Sequence, residues 1–149
     1  MENNMKIYLG TDHAGFELKE KLKEYLTGLG HDVIDKGAFK YDETDDYPDF
    51  IKSVAEAVQG DVNSRGVIFG ASGQGEAMCA NRFKGVRAAI FYGVNFELVR
   101  HSRAHDDANV LSFAAAYISE DEAQKALTLF LETSFDGGRH QRRIDKMDV

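Results

Sequence analysis

The sequence predicts an α/β protein in three layers: a Rossmann-like, five-stranded parallel sheet with helices on both faces and a C-terminal helical extension. Two observations carry this expectation. Short apolar runs alternate with amphipathic segments five times along the 149 residues, and parallel strands joined by helical crossovers produce that alternation. The amphipathic segments also carry their apolar residues at three- and four-residue spacing, the period of a helix packed on one side. No internal repeat, linker or low-complexity tract interrupts the pattern, so residues 1–149 read as one domain.

Lys6-Ile7-Tyr8-Leu9-Gly10 reads as a buried strand. Its crossover helix runs from Glu17 to Leu26, where Leu18, Leu22, Tyr25, Leu26 and Leu29 form the apolar stripe and Lys and Glu take the wet face. Gly28 and Gly30 stop it. Asp32 to Asp35 is a second short strand. The polar loop Tyr41 to Asp46 precedes the only proline, Pro48, which is suited to open a helix from Phe50 to Val58. Gly66 to Phe69 is strand three, and the glycine-rich stretch after it leads into a helix over Ala77 to Asn81. Val86 to Phe91 and Asn109 to Phe113 read as strands four and five, with a helix from Phe96 to His105 between them. Ser119-Glu120-Asp121-Glu122 matches a capped helix start, its acids complementing the dipole, and that helix extends to Glu132. Parallel sheets of this kind bind ligands outside the carboxyl ends of their strands. Here those ends are Gly10-Thr11-Asp12-His13, Gly70 to Glu76, and the region of Phe91-Tyr92.

Composition narrows the function classes. Hydrophobic residues at 43% and charged residues at 29% indicate a globular chain. A net charge of −7 argues against a nucleic-acid surface, and a negatively charged ligand would need a local basic patch. The lone cysteine, Cys79, excludes an internal disulfide and fits a reducing compartment. No apolar run approaches the roughly 20 residues that span a bilayer. Met1-Glu2-Asn3-Asn4 lacks the basic and apolar regions of a signal peptide. A cytoplasmic protein without a membrane or nucleic-acid partner is expected.

Gly70-Ala71-Ser72-Gly73-Gln74-Gly75-Glu76 carries the chemistry. A strand, a glycine-rich turn and a helix start form an anion cradle, because backbone N–H groups at a helix N-terminus lack partners. The turn lacks the Gly-Lys-Ser/Thr of a P-loop and the G-x-G-x-x-G spacing, which disfavours triphosphates and dinucleotides. Glu76 places a base beside the cradle. Asp12 reads either as a cap of the first helix or as a site residue next to His13. Arg139, Arg142 and Arg143 with His140 read either as a phosphate fork or as a solvated basic helix end. His101 and His105 have the i, i+4 spacing of a metal pair. No H-E-x-x-H pattern or third ligand accompanies them, so no metal is expected. His31, beside a turn glycine, reads as exposed.

Together these segments resemble the type B ribose-5-phosphate isomerases and their sugar-phosphate isomerase relatives. The matching motifs are Gly10-Thr11-Asp12-His13-Ala14-Gly15-Phe16-Glu17-Leu18-Lys19, Asp46-Tyr47-Pro48, Gly73-Gln74-Gly75-Glu76 with Ala80-Asn81, His105 to Val110, and Gly138-Arg139-His140-Gln141-Arg142-Arg143. They cover nearly the whole chain in order. The resemblance implies aldose–ketose isomerisation through a cis-enediolate, with neither metal nor organic cofactor. Many members carry a cysteine base where this chain has Gly70, while others use a glutamate at the position of Glu76. It follows that Glu76 is the expected base and Cys79 a packed residue. The resemblance further implies an oxyanion hole from the backbone N–H groups of Ala71, Ser72, Gly73, Gln74 and Gly75 with the Ser72 hydroxyl, and counts Gly70 among the substrate-binding residues. It gives Asp12 and Tyr47 to sugar hydroxyls, and His13, Arg139 and Arg143 to the phosphate. His105 matches the histidine that opens the sugar ring, which members supply from a neighbouring subunit. A homodimer with shared sites is implied, with pairing into a tetramer also open.

Two positions depart from that pattern. His105-Asp106-Asp107-Ala108-Asn109 has a carboxylate, Asp106, where the family has an amide able to donate to the enediolate. Ala116 stands where many members place a phosphate-binding arginine; Arg100 or His101 is the nearest alternative cation. Both departures point to a different phosphorylated sugar, whether tetrose, pentose or hexose. A sugar-phosphate-binding protein without turnover is the other reading that Asp106 leaves open.

Overall fold

Near-continuous burial marks the central strands of the computed structural model, which describes residues 4–149. Residues 1–3, on which the reading of the N-terminal segment largely rests, lie outside the described residues. In β1 (Lys6–Thr11) Ile7 and Leu9 are buried and Lys6 is exposed. It pairs in parallel with β2 (Asp32–Asp35) on one side and β3 (Arg65–Gly70) on the other. β5 (Val110–Ala114) lies between β3 and β4 (Ala88–Phe91), completing a five-stranded parallel sheet of order β2-β1-β3-β5-β4.

Side chains on successive strand residues point to opposite faces, and the two cores follow from that. Ile7, Leu9, Val67, Phe69, Leu111 and Phe113 meet α1 (Phe16–Gly28) and α5 (Glu120–Glu132), with α4 (Phe96–Ala104) beside them. The Phe69 and Phe113 rings stack at 5.5 Å, an arrangement that adds about 0.5–1.5 kcal/mol to the area buried. Ile68 and Val110 point the other way, onto Ile51, Val54 and Val58 of α2 (Pro48–Gln59), with α3 (Gln74–Ala80) alongside. A short α6 (Arg139–Ile144) forms the expected C-terminal extension. Among the described residues no helix is long and apolar enough to cross a membrane.

The capping box expected at Ser119 is present: the Glu122 N–H donates to Ser119 Oγ at 3.1 Å, and the Ser119 N–H to Glu122 Oε1 at 2.9 Å. Several details differ from expectation. α2 begins at Pro48 itself, and β4 begins at Ala88, because Asn109 and Asn81 side chains take the N–H groups of Arg87 and Ala88 at 2.7 Å each. Leu29 lies past the end of α1 and is 52% exposed, so it leaves the apolar stripe. Lys19, assigned to the wet face, is fully buried; its ammonium donates to both Asp35 oxygens at 2.8 and 2.7 Å and to the Ala38 carbonyl at 2.6 Å. His31 is half-buried, not exposed, and its Nδ1 accepts the Met5 N–H at 3.1 Å.

Candidate active site

The chain leaves β1 towards β2 on one side and returns to β3 on the other, so the sheet's switch point lies between β1 and β3. Crevices at that point, beyond the strand carboxyl ends, are where such sheets take ligands. Two turns meet there. Asp12 follows β1 and caps a 3-10 turn over His13–Gly15, its Oδ1 accepting the Ala14 N–H at 3.0 Å; α1 itself has no side-chain cap. A Cβ at Gly15 would collide with Phe69 and Thr11, so glycine lets this turn lie against β3.

Gly70 to Gly73 is the second turn. Gly73 has φ +74, a conformation favouring glycine, and its carbonyl accepts from Ser112 Oγ at 2.7 Å. Ala115 and Ala116 donate their N–H groups to the Gly70 and Ala71 carbonyls at 2.8 and 3.1 Å. Ala116 thus pins the loop through its backbone. Ser72 Oγ accepts the Gln74 N–H at 3.3 Å, which commits that one N–H of the expected oxyanion hole. Tyr47 packs its hydroxyl end on α3: a Cβ at Gly75 would come within 2.5 Å of the Tyr47 hydroxyl oxygen.

Glu76 sits in the first turn of α3 and is only 5% exposed. A Cβ at Gly70 would fall on its carboxylate, so the glutamate occupies the space that a residue with a side chain at 70 would need. Burial pushes the Glu76 carboxyl above its ordinary range, and the nearby Asp12 charge adds to this. Asp12, also buried, is raised chiefly by desolvation, opposed by its bond from the Ala14 N–H. Two buried carboxyls, both with pKa values raised chiefly by desolvation, therefore meet at the switch point.

His13 is oriented by a residue that the sequence reading did not single out. Asp45 Oδ1 accepts the His13 backbone N–H at 3.1 Å and lies 2.7 Å from its Nδ1. That hydrogen bond raises the His13 pKa, with help from the Asp12, Asp45 and Asp42 charges, and so favours the cation. Beside it a hollow of about 550 Å³ is lined by His13, Phe16 and Tyr41. Nothing in the acidic loop marked Asp45 out from its neighbours.

The remaining predicted residues lie elsewhere. α4 runs from the carboxyl end of β4 back to the amino end of β5, and His105 caps it there. The His105 ring stacks on His101 at 5.0 Å and on His140 of α6 at 4.4 Å, nearly parallel in both cases. Exposed Asp106 follows, and then Asp107 at φ +48, its carboxylate held by Arg103 at 2.8 Å and Arg87 at 3.4 Å. Arg139, Arg142 and Arg143 are exposed on α6. Arg100 already pairs with Glu97 at 2.9 and 2.6 Å. Two histidine–carboxylate groups, Asp12-His13-Asp45 and His105-Asp136-His140, bring ligand-type atoms within 4.8 Å. In the second, the parallel rings aim their in-plane lone pairs side by side instead of at one point.

Sequence-predicted residues therefore form two groups at opposite ends of the sheet. Asp12, His13, Tyr47, Gly70 to Gly75 and Glu76 gather at the carboxyl end. His105, Asp106, Arg139 and Arg143 gather at the amino end. The five residues of β5 alone separate the ends by roughly 16 Å at strand rise.

A parallel α/β sheet with paired buried carboxyls behind a glycine loop at its switch point is the class defined so far. The chain belongs to the ribose/galactose isomerase family, whose pattern matches residues 7–147. Ribose-5-phosphate isomerase B of Mycolicibacterium paratuberculosis is 40% identical over 142 residues, 95% of this chain and 88% of that protein. The Escherichia coli ribose-5-phosphate isomerase B is 36% identical, covering 94% of this chain and 92% of its own. Among solved structures, that of Mycoplasma genitalium ribose-5-phosphate isomerase B with bound ribulose 5-phosphate superposes with a TM-score of 0.92 at 38% identity, covering 96% of this chain and 93% of that one. The family resemblance read from the motifs is borne out.

Proposed function

We propose that this chain is an aldose–ketose isomerase of phosphorylated sugars, of the ribose 5-phosphate/ribulose 5-phosphate type, with Glu76 as its proton-transferring base. The observation that carries the reading is the Glu76 carboxylate, buried in the space left by Gly70. Once ionised, a carboxylate whose pKa is raised by burial is a stronger base than one in water, and it takes a carbon-bound proton more readily. It removes the proton at C2 of the open-chain aldose and returns it at C1. The charge that develops on the enediolate oxygens meets the N–H groups of Ala71, Ser72, Gly73 and Gly75 and the Ser72 hydroxyl. Asp12 and Tyr47 hold sugar hydroxyls, and protonated His13 takes the phosphate.

Arg139, Arg143, His105 and Asp106 complete this site from a second copy of the chain, since in one chain they stand at the far end of the sheet. The active unit of this proposal is a homodimer with two shared sites, open to further pairing into a tetramer. Its single thiol, Cys79, is in keeping with the reducing cytoplasm. Asp106 and Ala116 favour a second reading of the substrate: another tetrose, pentose or hexose phosphate in place of ribose 5-phosphate. A carboxylate repels the developing oxyanion where an amide would donate, and Ala116 supplies a backbone donor to Ala71 in place of a cation.

A panel of aldose and ketose phosphates, followed by solvent deuterium incorporation at C1 or C2, tests both readings. The wild-type chain is expected to exchange at least one of them, and Glu76→Gln to lose about 10²–10⁴ of that rate while still binding the sugar phosphate. Equal behaviour of the two proteins sinks the catalytic reading in favour of a binding protein. Ribose 5-phosphate emerging as the fastest substrate sinks the shifted-substrate reading alone.

A further inference from the structure

At the amino end of the sheet, behind the His105–Asp107 turn, lies a cavity of about 860 Å³ that none of the proposed chemistry uses. Its wall includes Arg65 at the start of β3, Arg103 of α4, His31, and Glu132 and Thr133 at the end of α5. The two arginines differ in how they are satisfied. Arg103 is committed: its Nη1 donates to Asp107 at 2.8 Å and to the Ala108 carbonyl at 2.7 Å, and its Nε to the Thr133 carbonyl at 3.2 Å. Arg65 makes one long bond, from Nη1 to the Ser64 carbonyl at 3.3 Å, and its Nε is buried without a partner among the described residues. No carboxylate of the described residues comes within ion-pair distance of it, although the exposed Glu132 also lines the cavity.

Arg87 and Arg103 share one carboxylate, Asp107, at 3.4 and 2.8 Å, while Arg65 stands near both arginines without an ion pair of its own among the described residues. Desolvation and the charges of Arg103 and Arg87 lower the Arg65 pKa to about 10, with Asp107 opposing them. His31 adds no charge, because burial lowers its pKa; with Nδ1 accepting from Met5, the neutral ring carries its proton on Nε2. A half-buried guanidinium whose Nε is buried without a partner is costly, and its fork matches the paired oxygens of a phosphate or carboxylate.

We propose that this cavity binds the phosphate or carboxylate group of a small anionic metabolite, held by Arg65 with Arg103 adding positive charge behind it. The inference does not rest on the isomerase reading. The ligand is an effector or buffer ion drawn from solution, since the proposed substrate contacts lie on other residues.

Calorimetric titration of the full chain with inorganic phosphate, and separately with succinate, tests this and distinguishes the two ligand chemistries. At least one anion is expected to bind wild type at a site whose affinity falls tenfold or more in Arg65→Gln. That site survives in Arg139→Gln/Arg143→Gln, which removes the proposed substrate-phosphate grip instead. Melting curves supply an independent readout. In anion-free buffer Arg65→Gln is expected to melt above wild type, having lost a half-buried cation with an unpartnered Nε, and to lose the anion-dependent rise in Tm. Arg65→Lys, which keeps the charge without the fork, is expected to retain part of that rise. If Arg65→Gln binds both anions as wild type does, or if the Arg139→Gln/Arg143→Gln protein binds neither, the proposal is overturned.

Discussion

Glu76 and His13 owe their protonation behaviour to different surroundings, and each leads to its own prediction. Burial raises the Glu76 carboxyl above its ordinary 4.5. A group that holds its proton more tightly when folded costs stability as pH rises from the ordinary value through the raised one, and the full cost persists above it. Gln cannot ionise, so Glu76→Gln is expected to melt higher than wild type at about pH 8, the two converging near pH 4. A thermal melt at each pH checks this, and a lower Tm for the variant at pH 8 would contradict the burial argument. For His13 the pH dependence has the same sign but a different origin, a favourable pair lost instead of a burial cost incurred. Its hydrogen bond to Asp45 lifts its pKa above 6.5, so the pair's favourable energy is complete below that value and fades as pH rises through the raised one. Asp45→Asn should let His13 lose its charge at lower pH. The expected result is a KM for the phosphorylated sugar that rises roughly two- to fivefold near pH 7, the scale of an exposed ion pair, with kcat little changed. A fall in kcat at constant KM would remove Asp45 from this positioning role.

At the scale of elements, the junction of β3 with α3 decides the site. The strand ends on a residue without a side chain, and the first helical turn folds the Glu76 carboxylate back into that space. Gly70→Ala is therefore expected to displace the carboxylate and lower kcat by about 10²-fold, the usual effect of a misplacement near 1 Å. Circular dichroism should be unchanged, because the strand tolerates alanine; a fully active Gly70→Ala protein would show that the carboxylate has room elsewhere. Much of this junction is legible from sequence. Gly66 to Glu76 reads as strand, turn and helix start because its apolar run and glycines are local signals. Lys19 was not legible. Its spacing on α1 matches a solvated face, and only the fold brings Asp35 and the Ala38 carbonyl to its ammonium. Asp45 is hidden for a similar reason: its partner His13 lies across a loop, in a stretch where several acids look alike.

For the whole molecule, the separation of the predicted residues into two ends of one sheet is what makes a second copy necessary to the proposed mechanism. An isologous pair places the Glu76 end of each chain against the His105 end of the other. Mixing Glu76→Gln with His105→Ala, each nearly inactive alone, tests this directly. Random re-pairing makes about half the dimers hybrids, each with one intact site, so recovery to about one quarter of wild-type activity is expected after co-refolding. No recovery above the parents would mean that both residues serve the same protomer's site.

By itself the sequence determined the alternation of strands and helices, the glycine loop with its carboxylate, and the basic C-terminal segment. Each is written in neighbouring residues, where periodicity and turn chemistry act. The order of strands in the sheet is another matter, because alternation is equally compatible with several orders. Only the tertiary structure inserts β5 between β3 and β4, sends α4 back to the amino end, and so parts His105 from Glu76. The same long-range packing buries Lys19 and leaves Arg65 without a counter-charge, since both depend on which distant groups the fold brings within a few ångströms.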